Sequence, residues 1–266
     1  MSKFVKLSVL ALSLAAAGTA MAQAQDGQWR GSVGASGAIT QGNSESRSVA
    51  ISGNLNRATA VDRITLNALI NRAQGTARVL NADGTLSSTS QNVAANNASL
   101  FGQYDYNITS DIYGYGNLGF LRDGQQDLNL RTSVGAGLGY HVIKAPDMTF
   151  DVYGGLGYSA DKYGSNKTVN GETGTSFSRA SVVLGEASTH AIGPQLTAYQ
   201  SVELQPGISG DKAMLIKATA GGSVALTNTI SATLGLTNNY NSKPALGNKK
   251  NDLSILTGVN VKLGAN

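Results

Sequence analysis

The stretch Arg131-Thr-Ser-Val-Gly-Ala-Gly-Leu-Gly-Tyr-His-Val142 admits two readings that lead to different proteins. Its centre, Gly135-Ala136-Gly137-Leu138-Gly139, has the look of a glycine loop that cradles a phosphate. It also alternates small and apolar residues with period two, as a strand with one polar and one apolar face does. A dinucleotide-binding glycine loop follows a strand and opens a helix. Here Gly139 is followed by Tyr-His-Val-Ile-Lys-Ala-Pro-Asp, which continues the alternation and then turns. Leu128, Leu130, Thr132, Val134, Ala136, Leu138, Tyr140 and Val142 fall on one face. Asn129, Arg131, Ser133, Gly135, Gly137, Gly139 and His141 fall on the other. The stretch reads as a strand whose glycines lie on the polar face and leave room for neighbouring side chains.

The same period runs through the chain after residue 28. Leu253, Ile255, Thr257, Val259, Val261 and Leu263 alternate with Asp252, Ser254, Leu256, Gly258, Asn260 and Lys262. Ile230 to Tyr240 and Met214 to Leu226 behave alike. About twelve such strands are predicted, at 28–40, 46–57, 62–73, 92–107, 111–121, 127–143, 148–160, 175–191, 195–205, 212–227, 229–241 and 251–265. Short connections (59–62, 109–111, 144–147, 192–194, 227–228) alternate with mostly longer ones (74–91, 122–126, 161–174, 206–211, 242–250). That alternation is the pattern of an antiparallel transmembrane barrel, with short periplasmic turns and long extracellular loops. In hydrocarbon every backbone N–H and C=O must be paired, so a spanning sheet must close. The predicted fold class is all-β, a single barrel over 28–266.

The N-terminus sets the compartment. Lys3 and Lys6 precede an apolar run, Leu7 to Ala17, and Ala20-Met21-Ala22 fits a small-x-small cleavage site. Residues 1–22 read as a secretory signal peptide, cleaved after Ala22 or Ala24. The apolar run is shorter than the roughly 20 residues of a spanning helix. Without Lys3 and Lys6 the balance is 18 basic against 16 acidic residues, and no basic cluster beyond Lys249-Lys250 points to nucleic acid. There is no cysteine, which removes disulfides, thiolate metal sites and a lipidated N-terminal cysteine from consideration. The expected location is the outer membrane of a Gram-negative bacterium. The expected partners are outer-membrane lipid and, during biogenesis, the barrel-assembly machinery; a monomer is the default state.

Rings test the barrel reading. Trp29, Tyr104, Tyr106, Tyr140 and Phe150 come near periplasmic strand ends, and Phe120, Tyr158, Phe177 and Tyr240 near extracellular ends. Two aromatic girdles at the two interfaces are what a membrane barrel requires. A soluble sandwich would hold its rings in mid-strand, in its core.

Arg30, Arg63, Asp105, Arg131, Asp151, Glu203, Lys217 and Lys262 fall on predicted polar faces, and strand eight leaves the phase of Glu186 open. These charges either line a pore or fill the barrel with a cross-lumen network; twelve strands lie between packed and open barrels. His141 and His190 stand at strand ends and are expected to be solvated rim residues. They form no cluster at metal-ligand spacing. Ser188 and His190, two apart on one strand, are a weak hydrolase signal. Asp83, Asp161 and Glu172 are lone loop acids. No catalytic residue, metal or cofactor is assigned. The function expected is a narrow porin-like channel for ions or small polar solutes. The alternatives are a non-conducting structural or stress-related barrel, a lipid-modifying barrel enzyme and a soluble secreted barrel.

Trp29-x-Gly31-x-x-Gly34, leading to Gly42-Asn43-Ser44-x-Ser46, resembles a bacterial domain-of-unknown-function family whose members are described as salt-induced outer membrane proteins. Gly139-Tyr140 and Gly157-Tyr158 are similar to pairs in that family, and the likeness in layout spans most of the mature chain. It implies an outer-membrane barrel and carries no activity onto particular residues. The chain ends Val261-Lys-Leu-Gly-Ala-Asn266, without the terminal aromatic that many outer-membrane barrels carry.

Overall fold

A computed structural model describes residues 25–41, 44–80, 86–124, 127–169, 171–210, 212–243 and 250–264. The signal peptide and Asp83 lie outside the described residues. Twelve strands follow one another in chain order: β1 (Trp29–Gln41), β2 (Ser44–Ala58), β3 (Asp62–Leu80), β4 (Leu86–Asn107), β5 (Ile112–Asp123), β6 (Leu128–Lys144), β7 (Met148–Val169), β8 (Glu172–Ile192), β9 (Leu196–Pro206), β10 (Met214–Ala225), β11 (Ile230–Asn241) and β12 (Asn251–Gly264). Each pairs antiparallel with its sequence neighbours, and β1 pairs with β12 from Arg30↔Gly264 to Gln41↔Leu253, closing the barrel. Closure leaves no row of unpaired backbone groups, which is the condition for crossing hydrocarbon.

The two faces are inverted relative to a soluble protein. Val49, Ile51, Ile70, Leu138, Leu156 and Leu234 stand on the outer rows, each more than half exposed. Ser36, Ser48, Asn71, Asn97, Thr219, Ser223, Ser231 and Ser254 are buried on the inner rows. The hydrophobic effect favours this arrangement only where the outer surface meets an apolar solvent. Trp29, Tyr104, Tyr106, Phe120, Tyr140 and Tyr158 are exposed on the outer face. Phe150 and Tyr240 take outer-row positions, in register with Ser188 and Ile216.

At the short-turn end, three turns use one device. The hydroxyl of Thr59 accepts from the N–H of Val61 and Asp62, that of Thr109 from Asp111 and Ile112, and that of Thr227 from Thr229 and Ile230. A Thr side chain satisfies backbone donors that the tight reversal would otherwise leave open.

Four expectations change. Residues 74–91 and 161–174, expected as loops, are largely strand: β3 and β4 run on to Leu80 and from Leu86, and β7 and β8 to Val169 and from Glu172. The backbone pairing resumes there after register shifts at Arg78/Leu80 and Lys162/Lys167, in stretches of polar sequence. Leu128 leaves the face of Leu130, because a bulge between them turns it inward, where it is 1% exposed. Phe177 is not a girdle residue: it opposes inward Asp161 and packs edge-on against Tyr163 at 6.1 Å. Asp161 is a β7 residue paired with Arg131, not a loop acid.

Candidate functional site: the barrel lumen

The inner rows enclose a cavity of about 390 Å³ whose wall includes Arg63, Phe101, Gln103, Tyr113, Tyr115, Asp151, Tyr153, Arg179 and Glu203. The glycines of the opening stretch shape it. Tyr113 is in register with Gly139, and Tyr115 with Gly137. A Cβ at Gly139 would fall on the Tyr113 ring, and one at Gly137 would come 2.7 Å from the Tyr115 hydroxyl. The rings therefore lie flat on the neighbouring strand, in the space that missing side chains leave. Tyr153 over Gly185 and Tyr199 over Gly221 repeat the arrangement. A ring laid along the wall does not cross the lumen.

Charged groups then pair across adjacent strands. Arg63 Nε donates to Asp105 Oδ2 at 2.8 Å, and Gln103 Nε2 donates to the other oxygen at 2.7 Å. Asp105 is buried while the Arg63 side chain keeps 39% exposure, so the cation is the wetter partner. Arg131 forks onto Asp161 with two 2.6 Å bonds. His141 Nδ1 lies 2.7 Å from Asp151 Oδ1, within hydrogen-bond distance. The same imidazole stacks on Tyr113 at 4.7 Å. Glu203 accepts from Tyr153 Oη at 3.0 Å and from Gln205 Nε2 at 2.6 Å, and Lys217 stands opposite it in register. The β10–β2 side contributes mainly hydroxyls, amides and small residues, among them Thr219, Ser223, Thr233, Asn260, Ser36 and Asn54.

All eight expected inward charges occupy inner rows. Arg63, Asp105, Asp151 and Glu203 converge near the cavity, with Lys217 beside Glu203. Arg131 pairs nearer the long-hairpin end. Arg30 is held at the short-turn rim by Asp26, 2.7 Å away, and Lys262 faces Ser32 in register. Asp26 precedes β1; its bonds from Arg30 and from the Gln28 N–H hold its carboxyl well below the usual range. His141 is part-buried and bonded rather than a solvated rim group. Glu186 faces outward, between Val152 and Val202 in register, as do Ser188 and His190; neither of the latter bonds to the other. Among the described residues no three His, Asp or Glu side chains converge as metal ligands would.

Sequence reasoning missed Tyr113, Tyr115, Tyr153, Arg179 and Gln205. A usable signal was present: Tyr113-Gly-Tyr-Gly116 alternates in antiphase with the inner-row glycines of the next strand.

A protein-family model described as "Protein of unknown function, DUF481" matches residues 33–263. No curated protein matches the chain by sequence. Among solved structures, the chain is similar to the NanC porin, at 11% identity and a TM-score of 0.56, covering 87% of this chain and 100% of that one. It is also similar to the translocator domain of the autotransporter NalP from Neisseria meningitidis, at 15% identity and a TM-score of 0.50, covering 91% and 92%. At such identities the likeness is one of fold: an outer-membrane β-barrel.

Proposed function

The chain belongs to DUF481, a family of proteins of unknown function, and we propose that it is a narrow outer-membrane channel for ions or small polar solutes. One observation carries the proposal. The barrel's large inner side chains lie along the wall or pair across neighbouring strands, and leave a cavity of about 390 Å³ whose lining is of mixed polar and apolar character. Arg63, His141 and Arg131 each face a carboxylate, so the lining offers both signs and no single-sign filter. The passage is correspondingly weak in charge preference and limited by size. The aromatic outer rows and the cations Arg72, Arg122 and Lys162, which stand exposed beyond the apolar rows of β3, β5 and β7, fit a membrane seat with lipid phosphate at the long-hairpin end. Insertion by the barrel-assembly machinery follows from that compartment.

Liposomes containing the folded protein should swell in small polar solutes such as glycine and arabinose, and much less in trisaccharides. Absence of swelling with every solute would contradict the proposal. The second reading, a filled barrel acting in envelope integrity, draws on the closeness of His141, Tyr113 and Asp151 at the short-turn end. It predicts folded protein and no permeation.

A further inference from the structure

Three arginines share one flank of the barrel's outer face. Arg47 on β2, Arg72 on β3 and Arg122 on β5 stand exposed, opposite Ile39, Val49 and Ala98 in register. Arg47 lies on the row of Gln74, and Arg122 on the row of Ala98 and Ile70. From β2 to β5 the three thus descend along β3 from Gln74 to Ile70. That is about 13 Å of strand over three strand spacings of about 4.8 Å each. The slope equals a strand tilt of about 40°, so the three residues stand at one depth. The short-turn girdle slopes the same way: the register row of Trp29 and Tyr104 meets β6 at Ala136, well above Tyr140.

The other arginines with described side chains are all held. Arg30, Arg63 and Arg131 pair with carboxylates, Arg57 donates to Gly27 O, and Arg179 donates to Gln205. Among the described residues, Arg47, Arg72 and Arg122 have no hydrogen bond or ion pair from their side chains. Beneath them stand Val49, Ile51 and Ile70, the three most exposed large apolar side chains of the described wall. Asn96, opposite Arg72, adds an exposed amide, and small Ala98 lies between Arg72 and Arg122. The long-hairpin ends of β10, β11 and β12 carry Met214, Tyr240 and Leu253 on their outer rows instead. A guanidinium grips a phosphate with a two-pronged fork. Free forks directly above protruding apolar side chains match a ligand that is anionic at its head and apolar below. The row spans about 14 Å, wider than one phosphate bridges. Two phosphates held apart by a sugar backbone reach both ends of it.

We propose that Arg47, Arg72 and Arg122, with Asn96, form a site on the β2–β5 flank for one acylated sugar lipid bearing two phosphates. The proposal rests on the membrane reading of the outer rows. It goes beyond a general contact with headgroups by naming one flank, one lipid chemistry and one molecule per barrel. It is independent of whether the lumen conducts, because all three side chains point away from it.

Protein extracted from outer membranes in mild detergent and washed free of lipid is titrated with diphosphoryl lipid A, monophosphoryl lipid A or phosphatidylglycerol. Complexes are weighed by native mass spectrometry. Diphosphoryl lipid A should saturate at one molecule per barrel, and each of the other two should bind about tenfold more weakly or worse. The triple variant Arg47→Gln, Arg72→Gln, Arg122→Gln should lose the preference and keep the heat-modifiable gel shift of the folded barrel. Lys144→Gln, at the short-turn end, should bind as the wild type does. Equal binding of the three lipids, or equal binding by the triple variant and the wild type, would overturn the site alone. Saturation at several lipids per barrel would overturn it too, in favour of a general headgroup contact. Protein absent from the outer membrane would overturn the membrane reading and the site with it.

Discussion

Tyr113 lines the cavity and, on the proposed reading, narrows the passage at the short-turn end. Its ring lies over Gly139 and stacks on His141, whose imidazole is held by Asp151. Removing the ring widens the passage at the short-turn end, and Tyr113→Ala should raise single-channel conductance by about twofold, since pore diameter sets the flux. Gly139→Val should do the reverse, because its side chain takes the place of the ring and drives it into the lumen. A conductance unchanged in both variants would show that the constriction lies elsewhere. Asp105 offers a second test. Asp105→Asn leaves Arg63 facing a neutral amide and removes one charge from a buried site. The expected cost is about 1–3 kcal/mol, read as a lower urea midpoint in vesicles. The reversal potential in a salt gradient should shift toward anions, whereas Arg63→Gln should shift it toward cations.

Elements were legible to the extent that period two persists. Where apolar and polar residues alternate, as in β6, β11 and β12, the boundaries fall within two residues of the sequence reading. Beyond the membrane both faces of a strand meet water, and the alternation that reveals a strand disappears. That is why the outer parts of the β3–β4 and β7–β8 hairpins looked like loops. Phase was harder than existence. In β8, Gly174 to Ile192 mixes Ser, Thr and Ala on both rows, so the face of Phe177 and Glu186 is decided by register with β7 and not by hydropathy. At Leu128 a bulge moves the residue to the other row, which local spacing does not encode. The lumen charges were readable singly; their pairing was not, because it depends on a register fixed by the whole ladder. The β7–β8 hairpin also has its own prediction. Asp127 accepts from Ser165 Oγ and pairs with Lys167 Nζ at 3.3 Å, tying the hairpin to the start of β6. The Ser165 bond first, and then Lys167, lower the Asp127 carboxyl below its usual value. A depressed carboxylate contributes stability above the unfolded value of about 4 and loses it as pH falls through the folded value. Hydrogen exchange in residues 161–169 should accelerate below about pH 4 in the wild type, and Asp127→Asn should show the faster exchange already at neutral pH. Equal exchange in the two proteins at neutral pH would contradict the tie.

At the scale of the whole molecule, closure between β1 and β12 does most of the work. It allows an apolar exterior and a polar interior in one sheet, and it turns an alternating sequence into a wall with two chemistries. The large inner side chains stand on β3 to β9, and the cavity of about 390 Å³ is lined by residues of those same strands. Its lining is nearly balanced in charge, and its rings are laid flat over glycines. On the proposed reading these features leave room for a narrow passage, and conduction is the property it should produce. The measurement that bears on this most directly is single-channel recording of the detergent-folded protein in a planar lipid bilayer, with folding confirmed by heat-modifiable gel mobility. The account predicts discrete current steps of small unit size with a reversal potential near zero in a salt gradient. Folded, inserted protein that gives no steps would contradict it and leave the barrel a filled, non-conducting wall.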